Sequence, residues 1–251
     1  NEIKALLIAL CGRTRKSAVL VGPAGTGKTS LVWELARMIN DGDGCLPDVL
    51  KEKVIYELHL DAIVAGSSFR GQAEERIKNI LDAVSKLPNV ILFIDEFHTL
   101  LKAGGSGGDS GGEQTAGNIM KPYLSRGDVT VIGATTNDEY NAHIAKDKAI
   151  GRRFKQVLIE EPTDEETLEI LRGVAPVNED FFNKKMRDEL LTEIIHLSKQ
   201  YNLDKANPDK SITMVESAFA YARVCQAEEK EITIDDILNE LAIEFQLSAS
   251  K

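Results

Sequence analysis

The residues best suited to chemistry lie in one short stretch, GPAGTGKT, at positions 22–29. It fits the phosphate-binding pattern G-x-x-x-x-G-K-[ST] at every fixed position. Its glycines let the backbone curl so that successive N–H groups point inward, and a helix N-terminus behind them adds positive potential. Lys28 would reach the β- and γ-phosphates, and the Thr29 hydroxyl would take a Mg²⁺ position. The residues predicted to bind a nucleoside triphosphate are Gly22, Pro23, Ala24, Gly25, Thr26, Gly27, Lys28, Thr29 and Ser30.

The segments on either side of this loop have the structure that such a site needs. Residues 18–21, AVLV, form a short apolar run that is typical of a buried strand. Residues 30–40 predict a helix, because an apolar stripe runs along it from Leu31 to Ile39. We expect Trp33, on the same helix, to lie in the core. A strand, a glycine loop and a helix N-terminus in this order make a phosphate cradle.

A pair of carboxylates follows a second apolar run. Residues 90–94, VILFI, are too few for a lone helix and suit a strand buried on both faces, and Asp95 and Glu96 come directly after them. Ligands of open α/β sheets bind at the carboxyl ends of the strands. Asp95 would therefore complete the Mg²⁺ shell, and Glu96 would polarise the attacking water. His98 has no second His or Cys at metal-ligand spacing, so we expect it to be packed or hydrogen-bonded.

Two further sets of polar residues have two interpretations each. Thr136 follows the predicted strand 129–132 and could bond the γ-phosphate or the attacking water, although a threonine at a strand end is more often structural. Arg152 and Arg153 lie in a loop before the last predicted strand, too far along the chain to sit obviously in their own site. They are either a solvated surface pair or arginines supplied to another subunit, which accelerate phosphoryl transfer by stabilising charge on the γ-phosphate.

The order of the predicted elements indicates the fold class. Predicted strands at 18–21, 54–60, 90–94, 129–132 and 156–159 alternate with helices, which favours an α/β fold with a parallel, doubly wound sheet. The character changes at Pro162, because a capping box at residues 163–166 opens a region that reads as helical throughout. We predict a large α/β nucleotide-binding domain over residues 1–162 and a small all-helical lid domain over residues 163–251.

The composition indicates the class of protein and the compartment in which it works. The 251 residues are 43% hydrophobic and 28% charged, as in ordinary soluble globular proteins, and the net charge of −10 argues against a general nucleic-acid binder. No apolar run approaches the ~18 residues of a membrane span. Cys11, Cys45 and Cys225 lie far apart, which favours a reducing intracellular compartment such as the cytoplasm. The chain starts without Met inside an amphipathic helix, so we expect it to be part of a longer protein.

Two glycine-containing loops are the remaining features of interest. Residues 104–112, GGSGGDSGG, have nothing to bury, and we expect a mobile loop there. Phe69 lies among glycines and serines at residues 66–71, where little local structure could cover it. An exposed aromatic suggests contact with something outside the domain, although a loop Phe that tucks back is at least as common.

The chain resembles the first ATPase module of the Clp-type AAA+ protein unfoldases and disaggregases, the ClpA, ClpB and ClpC group. The stretches that carry the resemblance include GPAGTGKT, VAGSSFRGQAEERIK, VILFIDEFHTL, AGNIMKPYLSRGDVTVIGATTNDEY, KDKAIGRRF and NPDKSI. The layout is closer to ClpA than to ClpB, because no long coiled-coil insertion interrupts the helical domain. The resemblance implies a P-loop AAA+ sheet domain followed by a small helical lid.

The resemblance also implies a role for each candidate residue. Lys28 and Thr29 correspond to the Walker A pair, Asp95 and Glu96 to Walker B, and Thr136 to the sensor at the end of its strand. Arg152 and Arg153 would be the fingers that reach into a neighbour's site. Phe69, with Arg70 beside it, falls at the substrate-gripping pore loop, where the family usually has Tyr. The glycine loop at 104–112 falls at the second pore loop, and Pro208 and Ile212 match residues that line the adenine pocket.

The implied function is a motor that hydrolyses ATP, with Mg²⁺, in a homo-hexameric ring and pulls protein substrates through a central channel. A partner peptidase or adaptor is left open by the resemblance. An AAA+ loader or initiator acting on DNA is the first alternative, and the negative charge and the lack of a basic stripe argue against it. A non-hydrolysing ATP-binding scaffold is the second, and the intact Asp95-Glu96 pair argues against that.

Overall fold

The computed structural model describes residues 1–65, 70–102, 116–201, 205–226 and 228–244. The chain forms two compact units. The first consists of residues 1–22 and 28–159, and the second consists of residues 23–27 together with 160–251. Phe69 and the glycine loop at 104–112 lie outside the described residues, so the expectations about them are not addressed by the fold.

The first unit is built on a parallel sheet, as the alternation of strands and helices predicts. Its strands are β1 Ser17–Val21, β2 Val54–Glu57, β3 Val90–Ile94, β4 Thr130–Thr135 and β5 Phe154–Leu158. They lie in the order β2-β3-β4-β1-β5, and every pairing between neighbours is parallel. The helices of this unit are α1 Glu2–Leu10, α2 Lys28–Asp41, α3 Leu60–Ala65, α4 Arg70–Val84, α5 His98–Lys102, α6 Ala116–Arg126, α7 Asn137–Glu139 and α8 Lys148–Gly151, with a 3-10 turn at Asp48–Leu50 and a π turn at Tyr140–Ile144.

Both faces of the sheet are covered, which explains why its central strands are continuously apolar. Alternate residues of β3 enter opposite clusters: Leu92 packs with residues of α4 and α6, and Phe93 packs with residues of α1 and α2. All five residues of β1 and of β3 are buried. The run at 90–94 is thus a strand buried on both faces, as its composition predicts.

Two local predictions are wrong. The strand predicted at 54–60 ends at Glu57, and Leu60 begins α3 because Leu60 and Ile63, three residues apart, both pack against the α4–α6 side of the sheet. Trp33 is 62% exposed instead of buried. It lies between Val32 and Leu35, which are the positions of α2 that face the sheet, and its side chain therefore projects from the other side of the helix.

The second unit is helical, as predicted, and contains α9 Asp164–Phe182, α10 Asp188–Tyr201, α11 Asp209–Cys225 and α12 Ile234–Glu244. The predicted capping box at the start of α9 is present, because Thr163 and Glu166 exchange side-chain-to-backbone hydrogen bonds. Thr233 and Asp236 bond in the same way at the start of α12. Phe219 and Ile194 are among the fully buried residues of the core between these helices. Within the parts of the chain that are described, no helix combines the length and apolarity needed to cross a membrane.

Candidate functional site

The first unit places Lys28, Thr29, Asp95, Glu96 and Thr136 at the carboxyl edge of its sheet. In the strand register Val21, the last residue of β1, pairs with Thr135, the last of β4, and Ile94, the last of β3, pairs with Gly133. The residues that follow these strands therefore emerge side by side. Crevices at the carboxyl ends of parallel strands are the usual ligand sites of open α/β sheets.

The predicted phosphate-binding loop begins at Gly22, a position at which no side chain fits. A Cβ atom on Gly22 would lie 2.1 Å from the carbonyl oxygen of Ile159. The Gly22 N–H donates to the Thr135 carbonyl at 3.3 Å, which ties the start of the loop to β4. Further on, Gly25 has a φ of +85°, a conformation that suits glycine, and the Thr26 hydroxyl donates to the Pro23 carbonyl at 2.9 Å. The loop thus has the tight turn that its glycines predict.

Lys28 is the first residue of α2 and is buried, with its Nζ donating to the Gly22 carbonyl at 3.0 Å. Burial lowers the pKa of Lys28, while the charges of Asp95 and Glu96 oppose that shift. Lys28 directly precedes Thr29 on α2, the residue that contacts Asp95. A cation at the N-terminus of a helix behind a glycine loop is the arrangement that holds phosphate groups.

Thr29 and Asp95 meet directly, although 66 positions separate them in the sequence. The Thr29 hydroxyl donates to Asp95 Oδ2 at 2.9 Å, and the other oxygen of Asp95 accepts the Glu96 N–H at 2.8 Å. Mg²⁺ is commonly held by one or two protein oxygens together with waters and substrate phosphates. The hydroxyl and the carboxylate fit that requirement. Among the described residues no cluster of three or more His, Cys, Asp or Glu could hold a metal ion without such help.

Glu96 is held in an unusual backbone conformation beside a buried histidine. Its φ is +47°, in the left-handed region that non-glycine residues seldom occupy, at a cost on the order of 1 kcal/mol. Its Oε2 lies 3.2 Å from Nδ1 of His98, and its carbonyl accepts the Thr99 N–H at 2.8 Å where α5 begins. The carboxylate itself is largely exposed. This is a carboxylate that water can reach while one of its oxygens is held.

His98 is packed and hydrogen-bonded, as predicted. The same Nδ1 lies 3.0 Å from the hydroxyl of Thr135, which is fully buried at the end of β4. On the other side of the ring, Nε2 lies 3.9 Å from Oε2 of Glu139, and that oxygen lies 3.2 Å from Nε2 of His143. His98 therefore connects Glu96 to the end of β4. The sequence predicts packed or hydrogen-bonded side chains for the other three histidines as well; His143 is half-buried, whereas His59 and His196 are exposed.

Thr136 directly follows β4 and caps the next helix. Strand β4 ends at Thr135, and Thr136 is the N-cap of α7, with its hydroxyl accepting the Glu139 N–H at 3.4 Å. It is half-buried, and the Tyr140 N–H donates to its carbonyl at 3.0 Å. Thr136 thus lies just past the carboxyl end of β4, on the same edge as Asp95, and has a capping bond there.

Arg152 and Arg153 lie at the opposite edge of the sheet from these residues. They form the turn between α8 and β5, and Phe154, which follows them, pairs with Ser17 at the start of β1. Arg152 is exposed and Arg153 is half-buried, with its N–H donating to the Ile150 carbonyl at 2.8 Å. The fold does not bring this pair to Lys28 or Glu96 of the same chain.

The remaining predicted nucleotide contacts lie in the second unit, which includes the loop residues 23–27. The Ala206 N–H donates to the Ala24 carbonyl at 3.3 Å, and the Asp209 N–H donates to the Gly25 carbonyl at 3.2 Å. Pro208 is buried between these two donors and precedes α11. Ile212 is half-buried one turn later and packs against the helical core. The backbone of the loop is thus bonded to the segment that carries Pro208.

A carboxylate that the sequence did not single out anchors the same segment. Glu161 Oε1 accepts the Asn207 N–H at 2.7 Å and lies 3.2 Å from Nζ of Lys210. Burial acts to raise the pKa of Glu161, but the Asn207 N–H and the Lys210 ammonium outweigh it, and the pKa is lowered. Glu161 therefore remains ionised and fixes the start of α11.

The other predicted site residues lie in the loop and at the starts of two helices. Ser30 is exposed on the first turn of α2, while Pro23 and Ala24 are exposed and Gly27 is half-buried in the loop. Arg70 begins α4. The contacts of His98 with Glu96 and Thr135 are not predicted from the sequence. The available signal is position, because His98 comes two residues after Glu96 and Thr135 precedes Thr136 at the strand end.

Comparisons with known proteins support the nucleotide-site interpretation. Residues 18–159 match the model of the ATPase family associated with various cellular activities (AAA), and residues 163–249 match an AAA lid domain. The chain is 44% identical over 220 residues to the chaperone protein ClpB of Aquifex aeolicus and 43% identical over 224 residues to a ClpA homologue, an ATP-dependent Clp protease ATP-binding subunit, of Cyanidium caldarium. These alignments cover 88% and 89% of this chain but only 21% and 26% of the relatives.

Solved structures agree with these matches. The fold superposes on the S. cerevisiae Hsp104–ADP complex with a TM-score of 0.86 at 33% identity, covering 98% of this chain and 41% of that one. The Hsp104–casein complex in its extended conformation gives a TM-score of 0.82 and covers 43% of its chain. The near-equal identities to ClpB and to the ClpA homologue leave the closer likeness to ClpA a prediction. With a sheet domain and a lid that both match, the chain belongs to the AAA ATPase family and is similar throughout its length to Clp-type ATPases.

Proposed function

We propose that this chain is the ATP-hydrolysing motor module of a Clp-type protein unfoldase, which drives polypeptide translocation through a ring. The observation that carries the proposal is the 2.9 Å hydrogen bond between Thr29 and Asp95, beside Lys28. It joins the phosphate-binding loop to the paired carboxylates in one place. Both halves of a hydrolytic nucleotide site are therefore present together, which supports turnover and not merely binding.

Different residues of the chain have different roles in ATP hydrolysis. Backbone N–H groups of residues 22–27 and the Lys28 ammonium hold the phosphates of ATP. Thr29 and Asp95 would hold Mg²⁺, which supplies charge neutralisation at the phosphates when it is bound. Glu96 accepts a proton from the attacking water, which makes that water a better nucleophile. Thr136 is placed past the end of β4, where its hydroxyl can bond the γ-phosphate or the water.

His98 belongs to this mechanism as a positioning residue. It lies against Glu96 with one nitrogen and is itself held by the buried Thr135. A general base must have its oxygen within about 3 Å of the proton that it removes. A long and exposed carboxylate loses rotamer freedom in reaching such a position, and the contact with His98 reduces that loss.

The rest of the working protein follows from the same proposal. The location of Arg152 and Arg153 on the far edge of the sheet supports action in a neighbour's site, and hence a homo-hexameric ring. Phe69 and Arg70 would grip the substrate, and Hsp104, a solved relative, has a structure in complex with casein. Cys11, Cys45 and Cys225 are free and exposed, which fits a reducing compartment such as the cytoplasm.

The test uses the full-length protein and compares Glu96→Gln with Lys28→Ala. The Gln variant keeps the phosphate cradle but removes the base, so we expect ATP binding at near-normal affinity and phosphate release slowed at least ~10²-fold. The Ala variant should lose affinity for ATP itself. Nucleotide affinity and phosphate release are measured for both, together with unfolding of a tagged fluorescent protein. Normal turnover by Glu96→Gln would remove Glu96 from its role, and an active enzyme that never unfolds a substrate would reject the motor.

A further inference from the structure

A cavity of about 280 Å³ opens at the amino edge of the sheet, on the side away from the nucleotide site. It is lined by residues at or just before the starts of four neighbouring strands, by the end of α1 with the segment after it, and by the 3-10 turn. Lys16 directly precedes β1, Lys53 directly precedes β2, Ile91 is the second residue of β3 and Thr130 is the first of β4. The strands are four to six residues long, so the cavity lies about 15 Å from the carboxyl edge. We call it the amino-edge pocket; its lining residues are Leu10, Cys11, Gly12, Arg13, Lys16, Val49, Leu50, Lys53, Ile91 and Thr130.

The lining of the amino-edge pocket carries three positive charges and no carboxylate, although the chain as a whole has a net charge of −10. Within the described part of the chain, no acidic side chain lies within ion-pair distance of Arg13, Lys16 or Lys53. Lys53 is half-buried, and its Nζ donates to the Pro88 carbonyl at 2.5 Å, which fixes the ammonium group and leaves further N–H donors. Burial lowers the pKa of Lys53, and the nearby charge of Lys16 lowers it further.

Complementing the helix dipole does not account for this arrangement. Cations that follow a helix C-terminus stabilise it, and Arg13 and Lys16 both follow α1. Lys53 belongs to a different segment, before β2, yet it lines the same cavity as Lys16, and the charge of Lys16 lowers the pKa of Lys53. Repulsion between like charges destabilises the fold unless something negative lies between them.

The floor of the amino-edge pocket is apolar. Leu10, Leu50 and Ile91 are all at least 96% buried there, and Val49 beside them is 63% exposed. Ligand pockets are commonly apolar cavities of roughly 300–1,000 Å³ with a few fixed polar groups, so this one has room only for a small molecule. The polar groups are cationic and stand around an apolar floor, so the matching ligand has an apolar body and an anionic group.

We propose that the amino-edge pocket binds a small organic anion, a carboxylate or phosphate ester with a compact apolar body. Lys16, Lys53 and Arg13 hold the anionic group, and the floor formed by Leu10, Leu50 and Ile91 takes the apolar part. The proposal is independent of the nucleotide site, because the two lie at opposite edges of the sheet.

Cys11 provides a local reporter for this site. It is exposed and lines the amino-edge pocket, whereas Cys45 and Cys225 are exposed and do not line it. In the full-length protein the rate of alkylation of each thiol is followed by mass spectrometry with added phenyl phosphate, inorganic phosphate or benzyl alcohol. At ten times the dissociation constant we expect phenyl phosphate to slow alkylation of Cys11 about tenfold, with the other two thiols unaffected. Benzyl alcohol, which has the ring without the charge, should not protect.

Variants assign the effect to the proposed side chains. Lys16→Gln and Lys53→Gln should each raise the dissociation constant of phenyl phosphate, as measured from the protection of Cys11, at least about tenfold. Lys51→Gln is the matched control, because Lys51 pairs with Asp48 outside the pocket. Arg13→Gln, an exposed position, keeps the test valid if the Lys53 variant fails to fold. Equal protection by benzyl alcohol or by inorganic phosphate would overturn the organic-anion assignment, as would equal weakening by Lys51→Gln. Protection of Cys11 by ring assembly alone would make the pocket a subunit contact instead.

Discussion

Nδ1 of His98 lies 3.2 Å from Oε2 of Glu96 and 3.0 Å from the hydroxyl of Thr135, so one buried nitrogen joins the proposed general base to the end of the neighbouring strand. The contact depends on the left-handed backbone of Glu96, whose φ is +47°. That conformation turns the chain sharply between β3 and α5, and His98, two residues after Glu96, reaches back to its carboxylate. A strained residue at such a position is consistent with a functional role.

The two ring nitrogens of His98 can be tested separately. Asn places its amide nitrogen near the position of Nδ1, whereas Gln places it near Nε2. We expect His98→Asn to keep most of the turnover, and His98→Gln to lower it by about 10–100-fold, because a misplaced general base is costly. Nucleotide affinity should be unchanged in both. In a Glu96→Gln background neither change should lower turnover further. Equal turnover by the Asn and Gln variants would show that His98 only packs.

Thr29 should govern the demand for Mg²⁺. Its hydroxyl is bonded to Asp95 at 2.9 Å, and Thr29→Ala leaves that carboxylate without its partner. We expect the Mg²⁺ concentration that gives half-maximal hydrolysis to rise by an order of magnitude in Thr29→Ala. Thr29→Ser keeps the hydroxyl and should behave like the wild type. The measurement is phosphate release across a Mg²⁺ titration at saturating ATP. An unchanged midpoint in the Ala variant would place the metal elsewhere.

The arginine pair should act between subunits. Arg152 and Arg153 lie at the amino end of β5, away from Lys28 and Glu96. Replacing both with Ala should reduce hydrolysis by ~10³–10⁵-fold while sparing nucleotide binding, the range measured for arginine fingers. Mixing the double Ala protein with Lys28→Ala subunits should restore part of the activity, since each supplies what the other lacks. A monomeric form of the protein with full activity would contradict action in a neighbour's site.

Phe69 should separate hydrolysis from mechanical work. An aromatic ring grips by area and by its flat face, with little dependence on the side chain that it meets. We therefore expect Phe69→Ala to leave basal phosphate release near normal but to abolish most unfolding of a tagged fluorescent protein by the assembled ring. Phe69→Tyr is the matched control and should retain unfolding. If Phe69→Ala instead lowers both hydrolysis and the melting temperature, Phe69 is a core residue.

The second unit contains a carboxylate whose ionisation at neutral pH lowers the stability of the folded state. Glu240, on α12, has a buried Oε2 without a hydrogen-bond partner among the described residues. Burial and then repulsion by Glu244 raise the pKa of Glu240. The pKa of the Glu240 carboxyl is therefore higher in the folded state than in the unfolded state. Ionisation of Glu240 lowers the free energy of unfolding, and this loss is complete above the raised pKa.

Glu240→Gln should therefore raise the melting temperature at pH 7. The expected gain in the free energy of unfolding is only ~0.5 kcal/mol, because part of the side chain is solvated. The gain should shrink as the pH falls and disappear below the ordinary pKa of Glu, about 4.3. Glu216→Gln, at an exposed position of α11, is the control. A gain that persists at pH 4, or that the control matches, would mean that ionisation of Glu240 is not its cause.

Much of this protein is determined by patterns a few residues long. The glycine loop at 22–29, the buried run at 90–94 and the capping box at 163–166 each depend on local chemistry: backbone freedom, apolar burial and side-chain bonds to neighbouring N–H groups. Such features can be predicted from the sequence because the residues that interact are close to each other along the chain. The same holds for the alternation of strands and helices, which indicates the parallel sheet without its strand order.

The tertiary structure decided what depends on distant partners. Thr29 meets Asp95 only because β3 and β1 end at the same edge, each beside β4, in the order β2-β3-β4-β1-β5. His98 reaches Thr135 for the same reason. Trp33 is exposed because the sheet covers the other face of α2. The presence of one aromatic residue in the sequence does not show which face of the helix the sheet covers. Arg13, Lys16 and Lys53 come together because the loops before neighbouring strands share one edge, and no local pattern encodes which strands are neighbours.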